Sequence, residues 1–484
     1  MLYLSVYVYR KGIAMSAKDK IAKVMLNMVT DAALKHISKD PDKNIPKFAA
    51  RVLNLFGGIF PGKSLDGIKK GASDPNNTYT KLAKNIINDT DPEIIKKLIY
   101  AFGYEAALKG TKQVRENREK HSCNIPWLIL MDPTSACNLN CKGCWAAEYG
   151  HKLNLTLEDM QSVVSQGKEL GTHIYMYTGG EPLIRKKDII KVCEDNPDCV
   201  FLAYTNATLI DQKFCDDLKR VGNLSLALSI EGTEESNDWR RGEGAYKKTL
   251  DAMELLKQNK IIFGISVCYT RNNVDYVTSD EFLDLMISKG VKFGFYFNYM
   301  PIGHDGDKNL IPSPAQRKYM YYWLRRVRNG KSGKPMFIFD FQDDGEFVGG
   351  CIAGGRNYFH INSRGDMEPC VFIHYSDANI HTHTLLEGLK NPLFAEYRKG
   401  QPFNDNHLRP CPMLENPDKL REIIRKTGAK STDLIIEEDV DTLCGKCDEF
   451  ALEWKPVAEE IWANNPHPKT RTQYYRDGGK PKIQ

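Results

Sequence analysis

Six apolar runs alternate with helix-forming segments between residues 123 and 303, and this alternation constrains the fold more than any other feature. The first run, residues 126–131, is continuously apolar, as expected of a strand covered on both faces. The later runs lie at residues 173–177, 200–204, 224–230, 261–267 and 293–299. Strand–helix units joined by right-handed crossovers build a parallel sheet, and six units fall short of the eight that close a barrel. We therefore predict an α/β fold with a partial (β/α)6 TIM-like barrel, open on one side.

The length and composition of the chain indicate several domains. A chain of 484 residues is long enough for about three domains. We expect an N-terminal helical region at 1–120, the barrel core at 121–330, a small cysteine-rich α+β extension at 331–455 and a tail at 456–484. The 67 basic and 62 acidic residues are too balanced to indicate nucleic-acid binding.

The segment at 45–60 is amphipathic and carries Lys47 and Arg51, so it suits either a lipid surface or packing within its own domain. No run reaches the roughly 20 apolar residues of a membrane span, and no signal peptide is recognisable. Thirteen cysteines without a secretory pattern fit a reducing compartment. We expect a cytoplasmic protein with possible peripheral membrane contact.

Three cysteines follow the first strand closely, at Cys137, Cys141 and Cys144. A [4Fe–4S] cluster is normally held by four thiolates, so a CxxxCxxC triplet leaves one iron with an open coordination position. A zinc site would need a partner CxxC within reach, and none occurs in the next fifty residues. The triplet therefore predicts an iron–sulfur cluster that can bind a further ligand.

The second strand is followed by the run Gly179-Gly180-Glu181-Pro182. Glycines at a strand end allow close backbone approach, although the same run also suits an ordinary turn. Together with the triplet, this run resembles the radical S-adenosylmethionine (radical SAM) enzymes. The resemblance implies that a reduced [4Fe–4S] cluster cleaves S-adenosylmethionine (SAM) to a 5′-deoxyadenosyl radical, which abstracts hydrogen from a substrate.

The resemblance also assigns contacts with SAM, while it assigns no catalytic side chain. Residues Gly179 to Pro182 correspond to the family's GGEP motif, which holds the ammonium group. Further contacts are implied for Asn206 after the third strand, Ser229 at the ribose, Arg240 at the carboxylate and Val267 at the adenine. Arg241 is adjacent and is an alternative to Arg240.

This chain departs from the family at one place in the loop that carries Cys137, Cys141 and Cys144, which we call the cluster loop. The family usually has an aromatic residue directly before the third cysteine, whereas here that position is Gly143 and the aromatic is Trp145. We expect Trp145 to supply the aromatic surface from a shifted position.

Five cysteines near the C-terminus form a second pattern, resembling the SPASM or shorter twitch extension of radical SAM enzymes. The pattern begins with Cys351, thirteen residues, Gly365, four residues and Cys370, and His360–Asn362 reads as a hairpin strand. We predict one auxiliary [4Fe–4S] cluster bound by Cys351, Cys370 and two or more of the remaining cysteines, which are Cys411, Cys444 and Cys447. A structural zinc ion is the alternative, because this spacing suits zinc as well.

The sequence thus predicts a radical SAM oxidoreductase or transferase acting on a peptide, small-molecule or lipid substrate. Its expected partner is a reducing electron donor such as ferredoxin or flavodoxin, and no nucleic acid is expected. A non-catalytic iron–sulfur electron carrier or scaffold is the alternative, although such a protein would not need the Gly179–Pro182 run.

Overall fold

The computed structural model describes residues 74–464 and, before them, residues 30–32, 35–37, 39–40, 43–45 and 47. Most of the amphipathic segment expected at 45–60 and the end of the tail, from residue 465, lie outside the described residues. None of the helices in the described part of the chain has the length and apolar content needed to span a membrane.

One nine-stranded sheet organises the molecule, in the order β7-β6-β5-β4-β3-β2-β1-β8-β9. Every neighbouring pair is parallel except β8 and β9, which form an antiparallel hairpin. The strands are β1 (Leu128–Met131), β2 (Ile174–Tyr177), β3 (Val200–Thr205), β4 (Leu224–Ser229), β5 (Phe263–Tyr269), β6 (Phe293–Asn298), β7 (Phe337–Asp340), β8 (Tyr358–Ile361) and β9 (Met367–Glu368). The six predicted strands form the centre of this sheet, and the α/β fold is confirmed.

Helices follow the strands as predicted, and polar caps fix where several of them begin. Thr156 forms a capping box with Asp159, and Asp211 and Ser279 each accept a hydrogen bond from a first-turn N–H group. The barrel helices are α4 (Leu157–Leu170), α5 (Lys186–Asp195), α6 (Gln212–Val221), α7 (Glu234–Arg241), α8 (Ala245–Gln258), α9 (Val274–Val277), α10 (Asp280–Ser288) and α11 (Pro314–Arg328).

The N-terminal helices cover the amino ends of the barrel strands. They are α1 (Thr78–Asp89), α2 (Pro92–Leu98), its π-helical continuation Ile99–Gly110 and α3 (Thr111–His121). The Asp91 N–H donates to the carbonyl of Lys260 just before β5, and the Gln113 side chain donates to the carbonyl of Glu169 before β2. These bonds place the helices across the end of the barrel opposite to the loops that follow the strands.

The C-terminal segment joins the same sheet through β8. It also contains α12 (Gly345–Val348), α13 (Leu385–Gly388), α14 (Pro392–Gly400), α15 (Pro417–Thr427), α16 (Val440–Ala463) and a small antiparallel pair, β10 (Tyr375–Ser376) with β11 (Lys430–Ser431). Helix α16 continues to Ala463, past the boundary expected at 455.

A buried ionic chain ties β8 to β1. His360 Nε2 lies 2.9 Å from a carboxylate oxygen of Asp132, and His360 Nδ1 lies 2.6 Å from Glu368 on β9. The Tyr149 hydroxyl donates to the same Glu368 carboxylate. Burial opposes the charge on His360, yet the carboxylates of Asp132 and Glu368 raise its pKa to about 10. The imidazolium therefore links the barrel core to the C-terminal extension.

Candidate active site

A cavity of about 1650 Å³ opens at the carboxyl ends of the strands, where ligands bind in barrels of this type. The three cysteines of the triplet lie on its wall. The wall also includes most of the residues expected to contact SAM, namely Gly179, Gly180, Glu181, Asn206, Ser229 and Arg240. The fold thus brings together motifs that lie up to about a hundred residues apart in the chain.

The loop after β1 carries the triplet and rests on the turn after β2. The N–H groups of Gly180 and Glu181 donate to the carbonyls of Thr134 and Ala136, at 3.0 and 2.8 Å. A Cβ atom on Gly180 would lie 2.1 Å from the Ala136 carbonyl oxygen. Glycine is required here because the two backbones touch.

Glu181 fixes this turn to the end of β3. Its carboxylate accepts hydrogen bonds from the Thr205 hydroxyl at 2.7 Å, the Asn206 N–H at 2.7 Å and the Leu183 N–H at 3.0 Å. Burial raises the pKa of Glu181 to about 6, although these three donors stabilise its charged form. The carboxylate therefore aligns the two strand ends on one side of the cavity.

Two arginines on α7 face the triplet from the other side. Arg240 Nη1 and Arg241 Nη2 lie 2.6 and 2.5 Å from the same oxygen of Glu231. Burial opposes the charge of Glu231, but the two guanidinium groups hold its pKa below the ordinary value. Sequence reasoning missed Glu231, because its role depends on how α7 folds back over β4. The buried Arg240 Nε has no hydrogen-bond partner among the described residues.

Comparison with known proteins identifies the family. Residues 131–286 match the Radical SAM superfamily. An uncharacterized protein of Methanocaldococcus jannaschii is 31% identical over 252 residues, which are 50% of this chain and 84% of that protein. The chain belongs to the radical SAM superfamily. As in other radical SAM enzymes, its cofactors are a [4Fe–4S] cluster and SAM, which is cleaved at the cluster with an electron from an external reductant.

Other similar proteins differ in their named reactions. The AdoMet-dependent heme synthase of Methanosarcina barkeri is 26% identical over 55% of this chain and 83% of its own length. A GTP 3′,8-cyclase of Alkaliphilus oremlandii is 25% identical over 57% of this chain and 91% of its own length. The crystal structure of Streptococcus suis SuiB bound to precursor peptide SuiA shares the fold, with a TM-score of 0.52, 17% identity and coverage of 71% of this chain and 80% of SuiB.

Tyr299 occupies the space beside the glycine at which this radical SAM chain departs from the family pattern. Gly143 has a φ of +61°, and a Cβ atom there would lie 2.6 Å from the Tyr299 hydroxyl oxygen. Trp145, the expected substitute, also lines the cavity and has edge-on contacts with His360 and Phe372. An aromatic ring from the end of β6 therefore lies against the cluster loop, and the local sequence gave no signal for it.

Two residues expected to contact SAM are not on the cavity wall. Val267 packs in the main hydrophobic core, because alternation along β5 directs Ser266 and Cys268 inward instead. Pro182 is the buried first residue of a short 3-10 helix, Pro182–Arg185. Cys268 thus lies on the wall of the cavity, whereas Cys193, Cys199 and Cys215 are buried in the main core.

The C-terminal cysteines lie on the other side of the same cavity. Cys351, Cys370 and Cys411 line it, and Cys444 and Cys447 are buried one turn apart on α16. Backbone N–H groups point at two of the sulfurs, from Phe372 to Cys370 at 3.5 Å and from Met413 and Leu414 to Cys411 at 3.4 Å. All five are free thiols.

Proposed function

We propose that Cys137, Cys141 and Cys144 bind the [4Fe–4S] cluster at which this enzyme cleaves SAM, and that the cavity beside them holds the substrate. When bound, the reduced cluster cleaves SAM to methionine and a 5′-deoxyadenosyl radical, which takes a hydrogen atom from a substrate C–H bond. The observation that carries the proposal is the meeting of the triplet, the Gly179–Glu181 turn and Arg240 on one cavity wall.

Buried thiols of the triplet are difficult to ionise without a metal ion beside them, and this property suits a metal cluster. Burial raises the pKa of Cys137 to about 11, and the nearby Cys144 and Cys141 sulfurs add to the shift. Thiols that oppose one another's ionisation need a compensating metal charge to be held together as thiolates. That need supports the triplet as a cluster site.

The surrounding residues suit the polar groups of SAM. The free Nε–H of Arg240 is a donor for the carboxylate, and the Ser229 hydroxyl on the cavity wall is available to the ribose. Asn206 also lines the cavity, but its side chain is already hydrogen-bonded to Asn138 and Thr208. Glu181 and the carbonyl groups of the glycine turn offer acceptors to the ammonium group. Val267 and Pro182 would act only indirectly, through the position of β5 and of the turn.

We further propose an auxiliary [4Fe–4S] cluster bound by Cys351, Cys370 and Cys411 together with Cys444 or Cys447. Burial raises the pKa of Cys370 to about 12, and the nearby Cys351 sulfur adds to the shift. Burial raises the pKa of Tyr397, and the nearby sulfurs of Cys351, Cys370, Cys411 and Cys444 add to the shift.

The spacing of these sulfurs favours a cluster over zinc. Zinc–sulfur bonds of about 2.3 Å place the thiolates of one ion at most about 4.6 Å apart. Among the described residues, the ligand atoms that meet within 4.8 Å in a group of three belong to His173, Asp198 and Cys199, at the amino ends of β2 and β3. In the described part of the chain, no three of the C-terminal sulfurs lie within 4.8 Å of one another, which suits the wider spacing of thiolates around a [4Fe–4S] cluster.

The expected electron donor is a small reducing protein such as ferredoxin or flavodoxin. A non-catalytic electron carrier would have no use for a SAM-sized cavity beside its cluster. The names of the relatives cover heme synthesis, GTP cyclisation and peptide cyclisation, so they favour no single substrate class.

The decisive experiment is a single substitution in the triplet. Cys141→Ala in the anaerobically reconstituted enzyme should remove about four irons and abolish formation of 5′-deoxyadenosine from SAM. Cys215→Ala is the matched control, because Cys215 is buried in the main core away from the cavity. This variant should keep both the iron content and the SAM-cleavage activity of the wild type. Continued SAM cleavage by Cys141→Ala would contradict the assigned site.

A further inference from the structure

The cavity does not end below the cluster loop but continues down the inside of the barrel. Strand residues that line it begin at the first residue of β1, β2 and β3, which are Leu128, Ile174 and Val200. At its far end it is lined by Ile95 and Leu98 of α2 and by Phe102, in the helices that cover the amino ends of the strands, together with the polar residues Thr30, His36, Asn44 and Lys47 of the preceding segment. We call this lower part of the cavity the lumen.

The part of the lumen wall that the strands form is apolar. Its strand residues are Leu128, Leu130, Ile174, Met176, Val200, Leu202, Tyr204, Ser225, Phe293, Phe295 and Phe339. Among the strands that the structure describes, the one charged residue on the cavity wall is Asp340, at the carboxyl end of β7. A polar substrate placed between these strands would lose its hydrogen bonds to water without replacement.

An aromatic wall formed by β6, β7 and the residue after β7 extends this apolar surface over the height of the barrel. Phe295 stacks on Phe339 with ring centroids 4.8 Å apart, and Phe297 lies 5.6 Å from Phe341. Tyr204 reaches across from β3 to Phe295, with centroids 5.5 Å apart. Its hydroxyl donates to the sulfur of Met176, so the polar group of this residue is also occupied.

The depth of the lumen suits one long chain. Six residue steps separate Val200 from Asn206 beside the cluster loop, and at about 3.3 Å per step they span about 20 Å along β3. A strand tilt of about 36° leaves about 16 Å of depth along the barrel axis. One leaflet of a bilayer, half of a hydrocarbon core about 30 Å thick, has the same depth.

The volume of the cavity also suits a long chain. A cavity of about 1650 Å³ exceeds the roughly 300–1,000 Å³ of ordinary small-molecule sites. An extended peptide would leave its backbone N–H and C=O groups without partners there, whereas an alkyl chain has no such groups.

We propose that the lumen binds the hydrocarbon chain of a lipid and holds it with a C–H bond at the cluster end of the cavity. This inference rests on the proposed function, because it names the substrate class of the same site. In the reaction, one hydrogen atom passes from a C–H bond of the hydrocarbon chain to the 5′-deoxyadenosyl radical. This hydrogen atom becomes part of the methyl group of 5′-deoxyadenosine, and a carbon radical is left on the hydrocarbon chain.

The first test measures binding, without turnover. The reconstituted enzyme is loaded with cis-parinaric acid, a fluorescent polyene fatty acid, which is then displaced by saturated fatty acids of increasing length. Each added CH₂ should tighten binding about fourfold until the chain fills the lumen, and affinity should then level off. A second series presents the same chains esterified in a phospholipid in detergent micelles, and tighter binding in either series identifies the source of the chain.

A variant then tests the location. Ser225 is a small buried residue on the lumen wall, paired in register with Leu202. Ser225→Trp should fill the lower lumen and move the levelling-off point to shorter chains. Ser288→Trp, the same change at an exposed helix end, should leave that point where it is. Should Ser225→Trp fail to fold, Leu202→Phe narrows the lumen at the same height.

The outcomes separate this inference from the proposed function. With a perdeuterated chain bound, deuterium should enter 5′-deoxyadenosine. If the wild-type enzyme cleaves SAM but binds no fatty acid, binds without dependence on length, or incorporates no deuterium from either series, the lipid inference fails alone. If it forms no 5′-deoxyadenosine under any condition, the proposed function fails first.

Discussion

At the scale of single residues, the site depends on close backbone contact more than on side-chain chemistry. Gly180 lets the turn after β2 lie directly under the cluster loop, and Gly143 leaves room for Tyr299. Both glycines stand where a side chain would push the cysteine loop outward. The sequence marked the first of them as part of a motif, whereas the second was visible only as a departure from the family pattern.

This contact gives a prediction for Gly180→Ala. The new Cβ would overlap the Ala136 carbonyl oxygen, so the cluster loop must move, at a cost of about 1–3 kcal/mol of folding stability. We expect iron content and SAM cleavage to fall together, with the rate reduced at least about tenfold. Iron analysis, SAM-cleavage rates and urea unfolding measure the three effects.

Gly103→Ala is the control for this substitution. Gly103 lies in the π-helical segment Ile99–Gly110, and a Cβ added there meets no atom within 4 Å. Alanine in its helical segment should stabilise the protein by about 0.4–1 kcal/mol and leave the iron content unchanged. Equal iron loss in both variants would show that the Gly180 contact is not what supports the loop.

At the scale of elements, the joining of β8 to β1 decides where the C-terminal cysteines lie. The register pairs Met131 with Ile361, and His360 bridges Asp132 and Glu368 behind this pair. Because Cys370 follows β9 by two residues, the hairpin carries it to the cavity. The sequence predicted the hairpin but not its partner strand, since pairing between strands more than two hundred residues apart leaves no local pattern.

The His360 bridge predicts a stability change at alkaline pH. Because the folded-state pKa is raised to about 10, the bridge contributes fully below pH of about 6.5, where unfolded histidine titrates, and its contribution is lost as pH rises toward 10. Each unit of the shift corresponds to about 1.4 kcal/mol. Urea unfolding of the wild type should therefore show falling stability between about pH 7 and 10.

The matching variant is His360→Gln, which keeps hydrogen-bonding capacity without a titrating ring. It should be less stable than the wild type at pH 7 and lose less stability over the same pH range. His151→Gln, at an exposed histidine, should follow the wild-type curve. Parallel curves for the wild type and His360→Gln would contradict a charged His360.

At the scale of the whole molecule, one cavity connects both cysteine groups and the lumen. Cys137 and Cys351 lie on the wall of the same cavity, although they are 214 positions apart in the sequence. A second metal centre there would face the same substrate as the first. The position of the C-terminal cysteines therefore says more about the role of a second metal centre than their number does.

Metal analysis tests this second centre directly. A variant with Cys137, Cys141 and Cys144 all changed to alanine should keep about four irons and four sulfides per chain, bound by the C-terminal cysteines. Changing Cys370 to alanine as well should remove them. One zinc per chain and no sulfide in the triple variant would favour the structural zinc alternative.

The sequence by itself determined the barrel core, the family and the cofactors. Their signals are local: apolar runs of strand length, and cysteines and glycines whose spacing is set by covalent geometry. Only the tertiary structure decided which residues share the cavity. Glu231, Tyr299 and the lumen depend on strand alternation and on contacts between distant segments, which packing creates and which no short stretch of the chain encodes.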